Sequence, residues 1–249
     1  MTIKRIVACL DIIGERVVVG EQFKNLQDVD SPLTLAKYYE ESQVDDLVIY
    51  DISGKDTMKA QFLELIQQIR EVTTMPLTVG GGIKTMGDIS NLLDAGANRI
   101  SINSTAINDR DFLPQAIEKF GGDVIVLAID AKEIAPNKWH AFTAGGKKDS
   151  GLDIFDWAKE TESLGVAEIV LNSIDSDGAK QGFALQLNEQ MAQAVNIPVI
   201  ASGGAGDVTH FSEIFKKTKV AGALAASIFH QKLVTIADVK QHLQDENMI

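Results

Sequence analysis

Eight short apolar runs and the distances between them constrain this chain more than any other feature. They are Arg5–Leu10, Asp46–Tyr50, Leu77–Val79, Arg99–Ile102, Val124–Ile129, Glu168–Leu171, Val199–Ala201 and Gly222–Ala225. Rich in Val, Ile and Ala and lacking polar alternation, they read as strands of a parallel sheet buried on both faces. Their starts are 41, 31 and 22 residues apart in the first half of the chain and 44, 31 and 23 in the second. Helical patterns fill the gaps: Pro32–Ser42, Met58–Thr73, Met86–Ala95, Asp109–Phe120, Ile154–Leu164, Gln186–Val195, Val208–Lys217 and Ile236–Gln244. Ser31-Pro32 and Asp109 supply start signals. Eight βα units in two matching halves of four predict a single (β/α)8 TIM barrel over residues 1–249, built from two pseudo-symmetric half-barrels. An open doubly wound sheet would not need matching halves, and no GxGxxG turn follows the first strand.

The repeat extends to glycines. Val79–Gly82 reads VGGG and is followed by INST at Ile102–Thr105; Ser202–Gly204 reads SGG and is followed by AASI at Ala225–Ile228. Glycine-rich strand ends that feed helix N-termini present bare N–H groups and a positive dipole to an anion. Two such cradles, one per half, predict a small molecule with a phosphate at each end. A net charge of −12 argues against nucleic acid and against an anionic membrane surface as partners. No signal peptide or membrane span is readable, which points to a cytoplasmic location. The single cysteine, Cys9, lies inside an apolar run and reads as a buried small side chain.

Two long gaps, Ile13–Asp30 and Ala131–Ser150, fall on the C-terminal face of such a barrel, where active sites are built. The first reads as a lid. The second holds KWHAFT at Lys138–Thr143, which alternates like a strand, followed by a flexible GGKKDSG. Asp11 and Asp130 end the first and fifth strands at equivalent positions, so they face one another across the mouth. A carboxylate at the end of an apolar strand suits acid–base work, and a symmetric pair above two phosphate cradles is better explained by catalysis than by two loop caps. Asp51 is a third carboxylate on that face, balanced between ordering its loop and touching substrate. Asp175 and Asp177 resemble a metal loop in spacing alone, with no later glutamate, so Asp177-Gly178 reads as a turn whose amides meet a phosphate. His140, His210, His230 and His242 do not cluster, and neither a metal nor a cofactor is expected. Arg5, Asp46, Arg99 and Glu168 begin strands one, two, four and six; their alternating signs fit a ring closing the barrel floor or a plain ion-pair network.

ACLD, RVV-x-G-x-x-F, VGGGI, ISIN, AIDAK, GLD-x-x-x-W, NSID-x-DG, IASGGAG and ALAASIFH, in that order from the N-terminus to His230, resemble the cyclase subunits of imidazole glycerol phosphate synthase. The resemblance implies an ammonia-using lyase of histidine biosynthesis. Its substrate would be an aminoimidazole carboxamide ribonucleotide joined through a formimino group to phosphoribulose, with a glutaminase subunit as partner in a heterodimer. It places the catalytic aspartates on Asp11 and Asp130. The first phosphate site falls on Gly81, Gly82, Asn103 and Ser104, and the second on Asp177, Gly178, Gly203, Gly204, Ala226 and Ser227. It turns Arg5, Asp46, Arg99 and Glu168 into an ammonia gate. The chain departs from the family pattern at Ile13 and Val19, where lysines are usual, at Ala184, where G-[YF]-D is usual, and at Asn98, where an aspartate is common. The competing readings are the half-symmetric isomerase of the same pathway, an ammonia-channelling paralogue serving glycan amidation, and a non-catalytic accessory subunit. The INS after the fourth strand, AASIFH and the floor charges favour the cyclase over the isomerase, and Asp11 favours it over the paralogue.

Overall fold

A computed structural model describes residues 4–21 and 24–249; Met1–Ile3 at the N-terminus, and Gln22 and Phe23 within the expected lid, lie outside them. Twelve strands are described: β1 (Arg5–Ile13), β2 (Arg16–Glu21), β3 (Lys24–Asp30), β4 (Asp46–Asp51), β5 (Leu77–Gly80), β6 (Arg99–Ile102), β7 (Ile125–Ala135), β8 (Lys138–Thr143), β9 (Lys148–Asp153), β10 (Glu168–Ser173), β11 (Val199–Ser202) and β12 (Gly222–Ala225). The helices are α1 (Pro32–Glu41), α2 (Lys59–Val72), α3 (Met86–Asp94), α4 (Ser104–Asn108), α5 (Phe112–Phe120), α6 (Ile154–Leu164), α7 (Leu185–Ala194), α8 (Val208–Lys217), α9 (Ser227–His230) and α10 (Ile236–Asp245).

Eight strands pair in parallel in the order β1, β4, β5, β6, β7, β10, β11, β12, and β12 pairs back onto β1. The sheet therefore closes into the expected barrel. Strand periodicity separates two cores. Side chains pointing inward, among them Val7, Cys9, Val48, Val126, Val170, Ile200 and Leu224, fill the barrel, with Tyr50 packed against them. Outward residues such as Ile6, Leu10, Leu47, Ile49, Ile169 and Leu171 pack against the helices in the larger core. Burial on both faces is what made the strands legible as unbroken apolar runs.

The helices begin where short polar side chains can take up free amides. Ser31 Oγ accepts from the Thr34 N–H beside Pro32, Thr85 and Asp88 form a capping box, and so do Thr235 and Asp238. The helix expected from Asp109 begins instead at Phe112. Asp109 is extended and its carboxylate accepts from the Asp111 N–H, because the one-turn helix α4 has to be closed off first.

Two antiparallel additions leave the barrel at its mouth. β2 pairs with the outer end of β1, with Asp11 opposite Val18, and β3 pairs with β2. β8 pairs with the outer end of β7, with Asp130 opposite Phe142, and β9 pairs with β8. The GGKKDSG stretch is thus a tight turn and a third strand rather than a flexible loop: the Lys147 N–H donates to the Thr143 carbonyl at 3.1 Å, and Lys148 already pairs with Thr143.

Candidate active site

The C-terminal ends of the barrel strands bring three carboxylates together. Asp11 lies on β1, Asp130 on β7, and Asp177 in the turn after β10. All three keep a face open to the mouth, yet their carboxyls sit deep among protein atoms. Burial raises Asp11 to about 7, with further pushes from the charges of Asp177 and Asp130. Burial and then Asp130 raise Asp177 to about 6, against the Gly178 N–H that stabilises its anion. Asp130 is also raised by burial, but two amides oppose the rise. Asn172 Nδ2 donates to one carboxylate oxygen at 3.0 Å and Asn103 Nδ2 to the other at 2.9 Å. Among the described residues Asp11 has no comparable partner: the Cys9 thiol approaches it, at 3.9 Å. Burial and like charge thus favour the protonated form of Asp11, whereas two amide donors oppose the rise at Asp130.

In the sequence Asp177 reads as part of a phosphate-binding turn, not as a third carboxylate beside Asp11 and Asp130. Its third-carboxylate role depends on β10 running beside β7, with Asn172 opposite Asp130, a pairing between residues far apart in the chain. Asn172 enters the sequence reading only as the first residue of NSID-x-DG, with no role of its own. Asp51 takes the loop-ordering option, accepting from the Ser53 N–H at 2.8 Å. The histidines are held individually: His140 by Asp149, His210 by the Gly206 N–H, His230 by the Tyr39 hydroxyl and His242 by Ser212.

The two glycine cradles have matching backbones. Gly81 and Gly82 have φ of +96° and +62°, and Gly203 and Gly204 have +90° and +103°. A Cβ on Gly81 would lie 2.1 Å from the Asp51 carbonyl oxygen, and one on Gly204 would lie 2.1 Å from that of Gly182, so neither position admits a side chain. The residues before the one-turn helices match as well: Asn103 has φ, ψ of −126°, −87° and Ala226 has −124°, −79°. Ser104 and Ser227 then open α4 and α9 with free amides facing the mouth. The Asn103 side chain, however, is spent on Asp130. A cleft lies behind the first cradle, lined by Asp51, Lys59, Phe62, Gly82, Asp88 and Leu92.

At the opposite end, the four floor residues form a closed ring of alternating charge. Arg5 contacts Asp46 at 2.8 Å and also Glu168; Arg99 contacts Asp46 at 2.7 Å and Glu168 at 3.3 Å. Gly222 pairs with Arg5, and a Cβ there would lie 2.9 Å from the Arg5 carbonyl oxygen, so glycine on β12 leaves room for the guanidinium strand. Just outside the ring, Asn98 Oδ1 accepts from the Leu77 N–H at 2.8 Å and from Arg70 at 2.9 Å, clasping the start of β5.

The family model for histidine biosynthesis proteins matches residues 5–235. Imidazole glycerol phosphate synthase subunit HisF from Streptococcus sanguinis (strain SK36) is 46% identical over 241 residues, 97% of this chain and 96% of the relative. The HisF subunits of Oceanobacillus iheyensis and Hydrogenobaculum sp. (strain Y04AAS1) are each 44% identical over 248 residues, spanning 100% of this chain and 97% and 98% of theirs. This chain belongs to the HisF family. It is a cyclase subunit, a lyase of histidine biosynthesis, and membership implies a partner subunit. Among the described residues no helix is long and apolar enough to cross a membrane.

Proposed function

We propose that the chain uses ammonia to convert the formimino-linked phosphoribulosyl aminoimidazole carboxamide ribonucleotide into imidazole glycerol phosphate and the aminoimidazole carboxamide ribonucleotide. The observation that carries the reading is an unequal aspartate pair flanked by two matching anion cradles. Two phosphates on one substrate, held by Gly81, Gly82 and Ser104 at one side and by Gly178, Gly203, Gly204, Ala226 and Ser227 at the other, span the mouth and leave the reacting carbons above the carboxyls. Asp11, protonated near neutral pH, gives its proton to the ribulose carbonyl oxygen as ammonia adds. Asp130, its two oxygens held by amide donors, takes the proton from the incoming nitrogen. Asp177 keeps Asp11 protonated by its field.

The partner in this reading is a glutaminase docked on the N-terminal face, with Arg5, Asp46, Arg99 and Glu168 as the gate that its ammonia passes. The ring is closed in this conformation, so at least one of its four contacts has to give way for passage. Delivery along the barrel axis keeps bulk water from the reactive imine.

The test is turnover of the bis-phosphate substrate with ammonium salt, followed by its disappearance. Asp11→Asn and Asp130→Asn should each lower kcat by about a hundredfold or more with KM changed little. Near-wild-type turnover in either variant removes that carboxylate from the chemistry.

A further inference from the structure

The half-barrel repeat makes Asp11 and Asp130 equivalent, and register extends the equivalence to their neighbours. Opposite Asp11 on the next strand stands Tyr50; opposite Asp130 on its next strand stands Asn172. On the other side, Ala225 pairs with Ala8 and Ile102 with Leu127, which sets Ala226 and Asn103 at matching positions. Asp130 is thus flanked by two amides where Asp11 is flanked by a phenol and a methyl. Tyr50 does not serve Asp11, because its hydroxyl pairs with Ser101 at 3.1 Å. Asn172 does more than donate. Its Oδ1 accepts from the Ser202 hydroxyl at 3.3 Å, and it would lie 3.1 Å from a Cβ on Gly203. One side chain therefore touches both the carboxylate and the rim of the second cradle.

We propose that Asn172 is a positioning residue of the reaction: it holds Asp130 in place as the proton acceptor and ties that carboxylate to the second anion cradle through Ser202. The carboxamide has a single arrangement here. Its NH2 faces Asp130 and its oxygen faces Ser202, so each end fixes the orientation of the other. Asn103 supplies the second donor from β6, with its NH2 also reaching the Phe142 carbonyl at 3.3 Å. Among the described residues, the titratable groups that feel the charge of Asp130 are Asp11 of β1, Tyr50 of β4 and Asp177 after β10; Asn103 after β6 and Asn172 of β10 present amides to it. All of these groups are acidic, and the two amides are the groups that oppose the rise at Asp130. The inference rests on the proposed cyclase chemistry for its kinetic readout and on geometry alone for its spectroscopic one.

The experiment is a carboxyl 13C NMR titration of the full chain, with Asp11 and Asp130 assigned through their Asn variants, alongside the pH profile of kcat at fixed free ammonia. In the wild type, Asp130 is expected to ionise at lower pH than Asp11. Asn172→Leu, close in volume and without a donor, should raise the Asp130 midpoint by about one unit or more and carry the acid limb of kcat upward with it. A folded Asn172→Leu with an unmoved Asp130 midpoint overturns the proposal, whatever happens to kcat. Should that variant fail to fold, the wild-type order decides: Asp130 ionising above Asp11 is the contradicting result. A wild type that titrates as expected but turns over no substrate sinks the cyclase reading and leaves the role of Asn172 in holding Asp130 standing.

Discussion

Burying an acid that lacks donors costs stability whenever it is charged, and Asp11 carries that cost. Its folded midpoint near 7 lies above the ordinary value of 3.8, so the folded chain holds an extra proton between those limits. Stability should then fall as pH rises from about 4 to 7 and stay low above. Asp11→Asn removes the charge. At pH 8 it should be more stable than the wild type by about 1–2 kcal/mol, with Tm higher by about 2–4 °C per kcal/mol, and at pH 4 the difference should vanish. Equal gaps in Tm at both pH values would mean that the effect is packing. Asp11 and Asp130 were legible because each ends an apolar run, whereas Asp177 was legible as a phosphate-binding turn residue and Asn172 only as part of a motif. A carboxylate in a DG turn and an asparagine in a strand do not show in one dimension that they lie beside Asp130; that placement comes from β10 lying beside β7.

At the level of elements, the eight barrel strands and eight of the helices were readable to within a few residues, since burial imposes periods that survive in one dimension. Of the additions at the mouth, β8 was legible from the alternating KWHAFT, and β3 and β9 were not. β3 reads KNLQDVD and β9 reads KDSGLD, polar sequences that become strands only because β2 and β8 offer paired edges. The one-turn helices α4 and α9 are too short to show a period, yet they position Ser104 and Ser227. The departure from family pattern at Ala184 also acts at this scale. Ala184 stands at the N-cap of α7 with no side chain to accept a helix amide, and Asn188 Nδ2 reaches back to its carbonyl at 3.0 Å. Ala184→Asp should supply the missing cap and stabilise the chain by about 1 kcal/mol, read as a Tm rise of about 2–4 °C. No rise would mean that the Ala184 backbone, at ψ +83°, holds the new carboxylate away from the amides of α7.

The whole molecule is a barrel with different chemistry at its two ends: a ring of ion pairs at the floor, and carboxyls between glycine cradles at the mouth. The packed interior between them is built from small and β-branched side chains with a few hydroxyls, such as Thr78 and Ser101, both buried. The proposed function requires that nitrogen enter at one end and react at the other. Arg99→Ala breaks the ring on the side of β6 while leaving the mouth intact; it leaves Asp46 and Glu168 short of one cation and should cost about 3 kcal/mol or more in stability, so it is assayed well below its melting temperature. The deciding measurement is the ratio of imidazole glycerol phosphate formed to glutamine hydrolysed in the complex with a glutaminase subunit, set against turnover of the same variant on ammonium salt. The account predicts a ratio well below one with glutamine and near-wild-type turnover with ammonium. Equal losses with both nitrogen sources, or a ratio that stays at one, would contradict it.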